Sequence, residues 1–144
     1  MDYRKGSIGR LFVVRIDHGE DLLGELTGLA VKEDIKSGFF IMLGAMGSAE
    51  LVTGPEEKVV PPIPVWHGFD DAREVIGIGN IFRENGKPKI HLHGAVGNSK
   101  NLTMGCIRKN TEAFMVVEVM IIEIDIAAER IINENVGYSP VTFR

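Results

Sequence analysis

Apolar positions recur along most of this chain with the period of two that places alternate side chains on one face of a strand. One stretch instead shows the three-and-four spacing of a helix face. Leu11-Phe12-Val13-Val14-Arg15-Ile16 reads as a first strand closed by Asp17-His18-Gly19. Leu22, Leu23, Leu26, Leu29 and Ala30 then share a helical face, and Glu20 and Asp21 sit where a helix N-terminus favours acids, so the spacing predicts an amphipathic helix over 20–32. Gly38-Phe39-Phe40-Ile41-Met42-Leu43 begins a strand, Gly44-Ala45-Met46-Gly47 bends or bulges it, and residues 48–53 carry it on. Residues 54–71 hold Pro55, Pro61, Pro62 and Pro64, and proline donates no ladder hydrogen bond, so this stretch is a long connection or a sheet edge. Residues 74–82 and 89–96 flank Asn85-Gly86, a strong hairpin signal. Met104-Gly105-Cys106-Ile107 starts a further strand, and 113–124 is the longest and most apolar. Its apolar groups occupy both faces, which predicts cover on each side by a helix or by another subunit. No repeat, linker or low-complexity tract interrupts the pattern, so the expectation is one α+β domain over 1–144, a mostly antiparallel sheet with one main helix.

Composition narrows the function classes. Of 144 residues 44% are hydrophobic, enough for a real core, while 16 Lys plus Arg against 20 Asp plus Glu leave a net charge of −4. Phosphate neutralisation supplies most nucleic-acid affinity, and this bulk composition gives no basic stripe for it. A single cysteine closes no intramolecular disulfide. The start is polar, and the apolar run over 114–124 is broken by Glu118 and Glu123. Neither a signal peptide nor a membrane span is expected, and a reducing cytoplasm is the expected location.

The chemistry concentrates in Lys89-Ile90-His91-Leu92-His93-Gly94. An extended His-X-His puts both imidazoles on one face, close enough to share a metal ion, and Cys106 supplies a third borderline-soft donor. The plainer alternatives are a pair of hydrogen-bonded histidines and a small buried cysteine. His67 is a candidate fourth ligand but lies in the proline-rich stretch beside Trp66, and His18 reads as closing the turn before the helix. Glu50 and Glu74 are candidate general bases for a metal-bound water. The glycines near Gly44 and over 77–79 make no phosphate loop, since neither a following Gly-Lys-Ser/Thr nor a Gly-X-Gly-X-X-Gly opening a helix is present. They read as bulges or close backbone approaches.

Several of these pieces in order carry a family resemblance: Arg15 then Gly19-Glu20, the small-residue bend at 44–49, the stretch 74–81, His91-Leu92-His93, Gly105, and Val117-Glu118-Val119. Over about residues 10–125 the chain resembles the plants and prokaryotes conserved (PPC) domain. The resemblance implies an α+β fold with a mostly antiparallel sheet and a homotrimer. In plants the domain is joined to AT-hook DNA-binding motifs, whereas in bacteria and archaea it stands alone. No Arg-Gly-Arg-Pro core of an AT-hook occurs in this chain. After the His-X-His strand the family pattern usually reads Gly-Gly-His-Leu, and the matching stretch here reads Met104-Gly105-Cys106-Ile107, so Cys106 takes the place of a third histidine. Arg15 and Glu118 match family positions and are expected to be paired across a subunit contact.

The leading expectation is therefore a homotrimer that binds Zn2+ or another transition metal through His91, His93 and Cys106, with a position left for water or a small molecule. Zinc there would lower the pKa of a bound water to about 7. The alternatives are a DNA-associated regulator, using a patch from Arg4, Lys5 and Arg10 or from Lys100, Arg108 and Lys109, and an assembly module with a structural metal. The sequence names neither a catalytic residue nor a small-molecule ligand.

Overall fold

A computed structural model describes residues 1–144. In chain order the elements are β1 (Ser7–Asp17), α1 (Leu22–Lys32), β2 (Ser37–Pro55), β3 (Pro64–Phe69), β4 (Arg73–Glu84), β5 (Lys87–Gly97), β6 (Leu102–Asp125), β7 (Ala128–Arg130) and β8 (Val141–Phe143). All the strands belong to one sheet, and every pairing is antiparallel except a single parallel match of Glu84 on β4 with Arg130 on β7. The two longest strands organise it. β2 pairs with both β4 and β6, β6 pairs with β5, and β5 pairs with β4, so these four strands form a closed circuit. β3 adds to the outer half of β2 and is the proline-rich edge that the sequence predicted. β1 lies along the second half of β6.

Local chemistry explains the bends. Gly44 has φ +143°, and a side chain there would run into the backbone of Val116 and Val117, so β2 shifts register against β6 just beyond it. The two strands expected over 104–124 are one continuous β6, which turns at Asn110 (φ 55°) and Met115 (φ 61°) instead of breaking. The helix begins two residues later than predicted. Asp21 is held extended by a bridge to Glu112, and the Thr111 hydroxyl accepts a 3.1 Å hydrogen bond from the Leu23 N–H while donating to the Asp21 carboxylate. A residue of β6 thus satisfies the helix N-terminus.

The core lies between α1 and the concave face of the sheet. Leu22, Leu26 and Ala30 bury completely against Phe40, Met42, Leu92, Val119 and Ile121. Gly77 and Gly79 on β4 make room for this packing: a Cβ at Gly77 would stand 2.8 Å from Met42 Cε, and one at Gly79 would enter the Phe40 ring. No helix is long and apolar enough to cross a membrane.

The convex face carries a different row. Val13, Met120, Ile41 and Ile78 stand side by side across β1, β6, β2 and β4, and the row continues to His93 on β5 and Cys106 on β6. Its apolar members are exposed by 79%, 39%, 41% and 58% respectively.

Candidate metal centre

The hairpin turn sets the site. Asn85 and Gly86 both have positive φ (52° and 77°), the geometry that a two-residue hairpin of this twist needs. That register places His91 opposite Asn80 and His93 opposite Ile78. On the other side of β5, His93 faces Cys106 on β6. Gly105 lets β6 run close to β2 beside this pair, since a Cβ there would stand 2.5 Å from the Val52 carbonyl oxygen.

His91, His93 and Cys106 converge, with their ligand atoms all within 4.8 Å of one another. The Nε2 atoms of the two imidazoles are 3.1 Å apart, and their rings meet edge-on at 79°. Two donors on one tetrahedral zinc, each ~2.0–2.1 Å from the ion, lie roughly 3.3 Å from each other, so the nitrogen pair already has the spacing of a shared ion. Cys106 is buried, His91 half-buried and His93 exposed, which leaves the cluster reachable from one side.

Burial, then the positive charges of Arg130, His93 and Arg108, push the His91 pKa down to about 4. Its imidazole is neutral at pH 7, the form that binds metal. Burial pushes the Cys106 thiol up, against the opposing pull of Arg108, a Leu92 backbone hydrogen bond and Arg130. This thiol must shed a proton to become a ligand. Behind His91 sits Arg130, which donates to the Asn80 side-chain oxygen at 2.8 Å and the Ser139 carbonyl at 2.6 Å, and lies 3.4 Å from His91 Nδ1. Arginine has donors only, so this contact selects the tautomer in which His91 Nδ1 accepts and Nε2–H donates to His93. A metal on Nε2 would move the His91 proton to Nδ1 and turn the Arg130 contact into donor facing donor.

The other candidates lie apart from the cluster. His67 is exposed on β3 opposite Leu51, and the neighbouring Trp66 packs under the Lys109 ammonium at 4.8 Å. His18 occupies the turn after β1, accepts from the Met115 N–H at 3.2 Å and meets Phe114 edge-on. The Glu50 carboxylate is engaged by Lys109 and Asn110, and Glu74 is exposed opposite Gly97. Arg15 and Glu118 are register partners that both face outward, with the Arg15 guanidinium on Asp17 at 2.7 Å.

Two residues at the site escaped the sequence pattern. Asn80 was accessible in principle, because positions 80 and 91 are equidistant from the Asn85-Gly86 turn. Arg130 was not, since three-residue β7 is too short for any periodicity to register.

The Plants and Prokaryotes Conserved (PCC) domain model, the family also abbreviated PPC, matches residues 3–125. The chain belongs to this family. Solved structures agree with the fold of this PCC domain. A metal-containing protein from Archaeoglobus fulgidus superimposes with a TM-score of 0.86 at 22% identity, covering 99% of each chain. A plant- and prokaryote-conserved protein from Pyrococcus horikoshii gives 0.82 at 22% identity over 100% of this chain and 99% of its own. A Bacteroides thetaiotaomicron protein, described provisionally as DNA-binding, gives 0.78 at 23% identity over 96% and 97%. Comparison with curated proteins gives no match.

Proposed function

We propose that this PCC domain binds one transition metal ion per chain, zinc by donor preference, through His91, His93 and Cys106, and works as a cytoplasmic homotrimer. The convergence of the three side chains carries the reading: two imidazole nitrogens 3.1 Å apart and a thiol, all within 4.8 Å. Two nitrogens and one sulfur suit zinc, and three protein ligands leave a coordination position for water or a small molecule. When bound, such an ion supplies Lewis acidity at that open position. The protein's own residues orient the ligands and keep His91 neutral. The description of the Archaeoglobus neighbour as metal-containing supports the same reading. A lone thiolate ligand suits a reducing compartment.

The trimer reading rests on the convex face. A row of exposed Val13, Met120, Ile41 and Ile78 is the kind of contiguous apolar surface that a stable oligomer covers. A DNA-associated role is what the Bacteroides neighbour's description favours. The charges oppose it here: Arg4, Arg10 and Lys109 are each tied to a carboxylate of this chain, and the net charge is −4.

Elemental analysis of the purified chain tests the centre. About one zinc per chain is expected for the wild type, and loss of stoichiometric metal in His91→Ala and in His93→Ala with circular dichroism unchanged. Full metal content in both variants would overturn the reading.

A further inference from the structure

A cavity of about 810 Å3 opens beside His91, walled by Arg108 of β6, Arg130 of β7, the Glu84 and Lys89 side chains, and the C-terminal turn at Tyr138. Its charges are unequal. Glu84 and Lys89 pair with each other at 3.2 Å. Arg108 and Arg130 have no carboxylate partner, while every other arginine of the chain (Arg4, Arg10, Arg15, Arg73, Arg83 and Arg144) has one within 4 Å. The hydrogen bonds of Arg130 go to neutral oxygens of Asn80 and Ser139, and its Nε is buried without a partner. In an acidic protein, the only two guanidiniums with no carboxylate within 4 Å thus line one cavity, where Glu84, paired with Lys89, reaches Arg130 only at longer range. Desolvating the part-buried Arg130 charge without an ion-pair partner is costly, and a guanidinium fork matches the paired oxygens of a carboxylate or phosphate. Beyond the arginines the wall is formed by Ile132, Tyr138 and Pro140, a surface for an apolar or ring-bearing body.

We infer that this cavity binds a small organic anion, its carboxylate or phosphate head held by Arg108 and Arg130 and its body lying on Ile132, Tyr138 and Pro140. That the head group lies beside a metal ion rests on the proposed metal centre; the two arginines without an ion-pair partner do not depend on it.

Calorimetric titration tests this with three probes, phenyl phosphate, benzoate and inorganic phosphate, against the wild type, the chelator-treated wild type and Arg108→Gln. Arg108 is exposed and makes no side-chain hydrogen bond, so its replacement leaves the fold intact. At least one aromatic probe should bind the wild type, with affinity falling at least about tenfold in Arg108→Gln and weakening as salt is raised. The better of phenyl phosphate and benzoate identifies the head group, and inorganic phosphate should bind more weakly than phenyl phosphate. Absence of binding by both aromatic probes, or equal binding to Arg108→Gln, overturns the inference. Metal content measured on the same samples separates the two proposals. Arg108-dependent binding to a metal-free wild type leaves this site standing while the metal centre falls, and a zinc-loaded chain that ignores all three probes does the reverse.

Discussion

The two faces of one sheet carry nearly the same residue types and meet opposite fates. On the concave face Phe40, Met42, Val119 and Ile121 are at most 2% exposed, sealed by Leu22, Leu26 and Ala30 of α1. One residue along the same strands, Ile41 and Met120 are open by about two-fifths, and their neighbour Ile78 on β4 by 58%. Hydropathy does not distinguish these positions; the presence or absence of a covering element does. A run that is apolar on both faces therefore presents two surfaces, one closed within the chain and one left exposed on it, the surface on which the trimer proposal rests. The metal-ligating candidates belong to the second, because the convex row of Val13, Met120, Ile41 and Ile78 continues directly into His93 and Cys106.

The widest separation between the faces should appear in stability. Phe40→Ala removes a fully buried ring from between Gly79 and the core and is expected to cost about 3–5 kcal/mol in denaturant unfolding. Gly79→Ala should be destabilising for the converse reason, because the new methyl meets the same ring. Ile41→Ala, one position away, should cost clearly less when measured in a monomeric background. Equal losses at 40 and 41 would erase the distinction between a closed and an open face.

Assembly comes next. Light scattering of the wild type at low micromolar concentration should report about three chain masses, and Ile41→Glu or Ile78→Glu should shift it toward one, with strand content unchanged. A wild-type monomer would mean that the convex row is simply tolerated in water.

The sequence shows both faces but not which one is covered. Residues 39–43 are apolar without alternation and 113–124 is apolar on both faces, so Phe40 and Ile41 look alike until α1 is seen on one side. The hairpin was legible because Asn85-Gly86 fixes a turn type, and with it the pairing of β4 and β5. Strand alternation put His91 and His93 on one face, and the chain's only cysteine, standing where the family pattern has a histidine, suggested the third donor. What stayed hidden depends on distant contacts: the closure of the β2, β6, β5 and β4 circuit, the capping of α1 by Thr111, and the arrival of Arg130 behind His91 from a strand of three residues. None of these follows from a local period.

The finest distinction lies within the proposed metal centre, between a ligand that can bind with no net loss of a proton and one that cannot. Burial holds the His91 pKa at about 4, so between about pH 7 and 8 this imidazole has no ligand proton to give up. Burial raises the Cys106 pKa, so over the same range its thiol is protonated in the metal-free chain and must lose that proton on coordination. The free site then holds about one more proton than the occupied one, and mass action makes affinity rise with pH, by about tenfold per unit. In Cys106→His the thiol proton is gone, and the dependence between about pH 7 and 8 should flatten. Competition against a chelator of known affinity, corrected for the chelator's own protonation, reads both slopes. Identical slopes for the wild type and Cys106→His would mean that the thiolate does not join the two imidazoles on the ion.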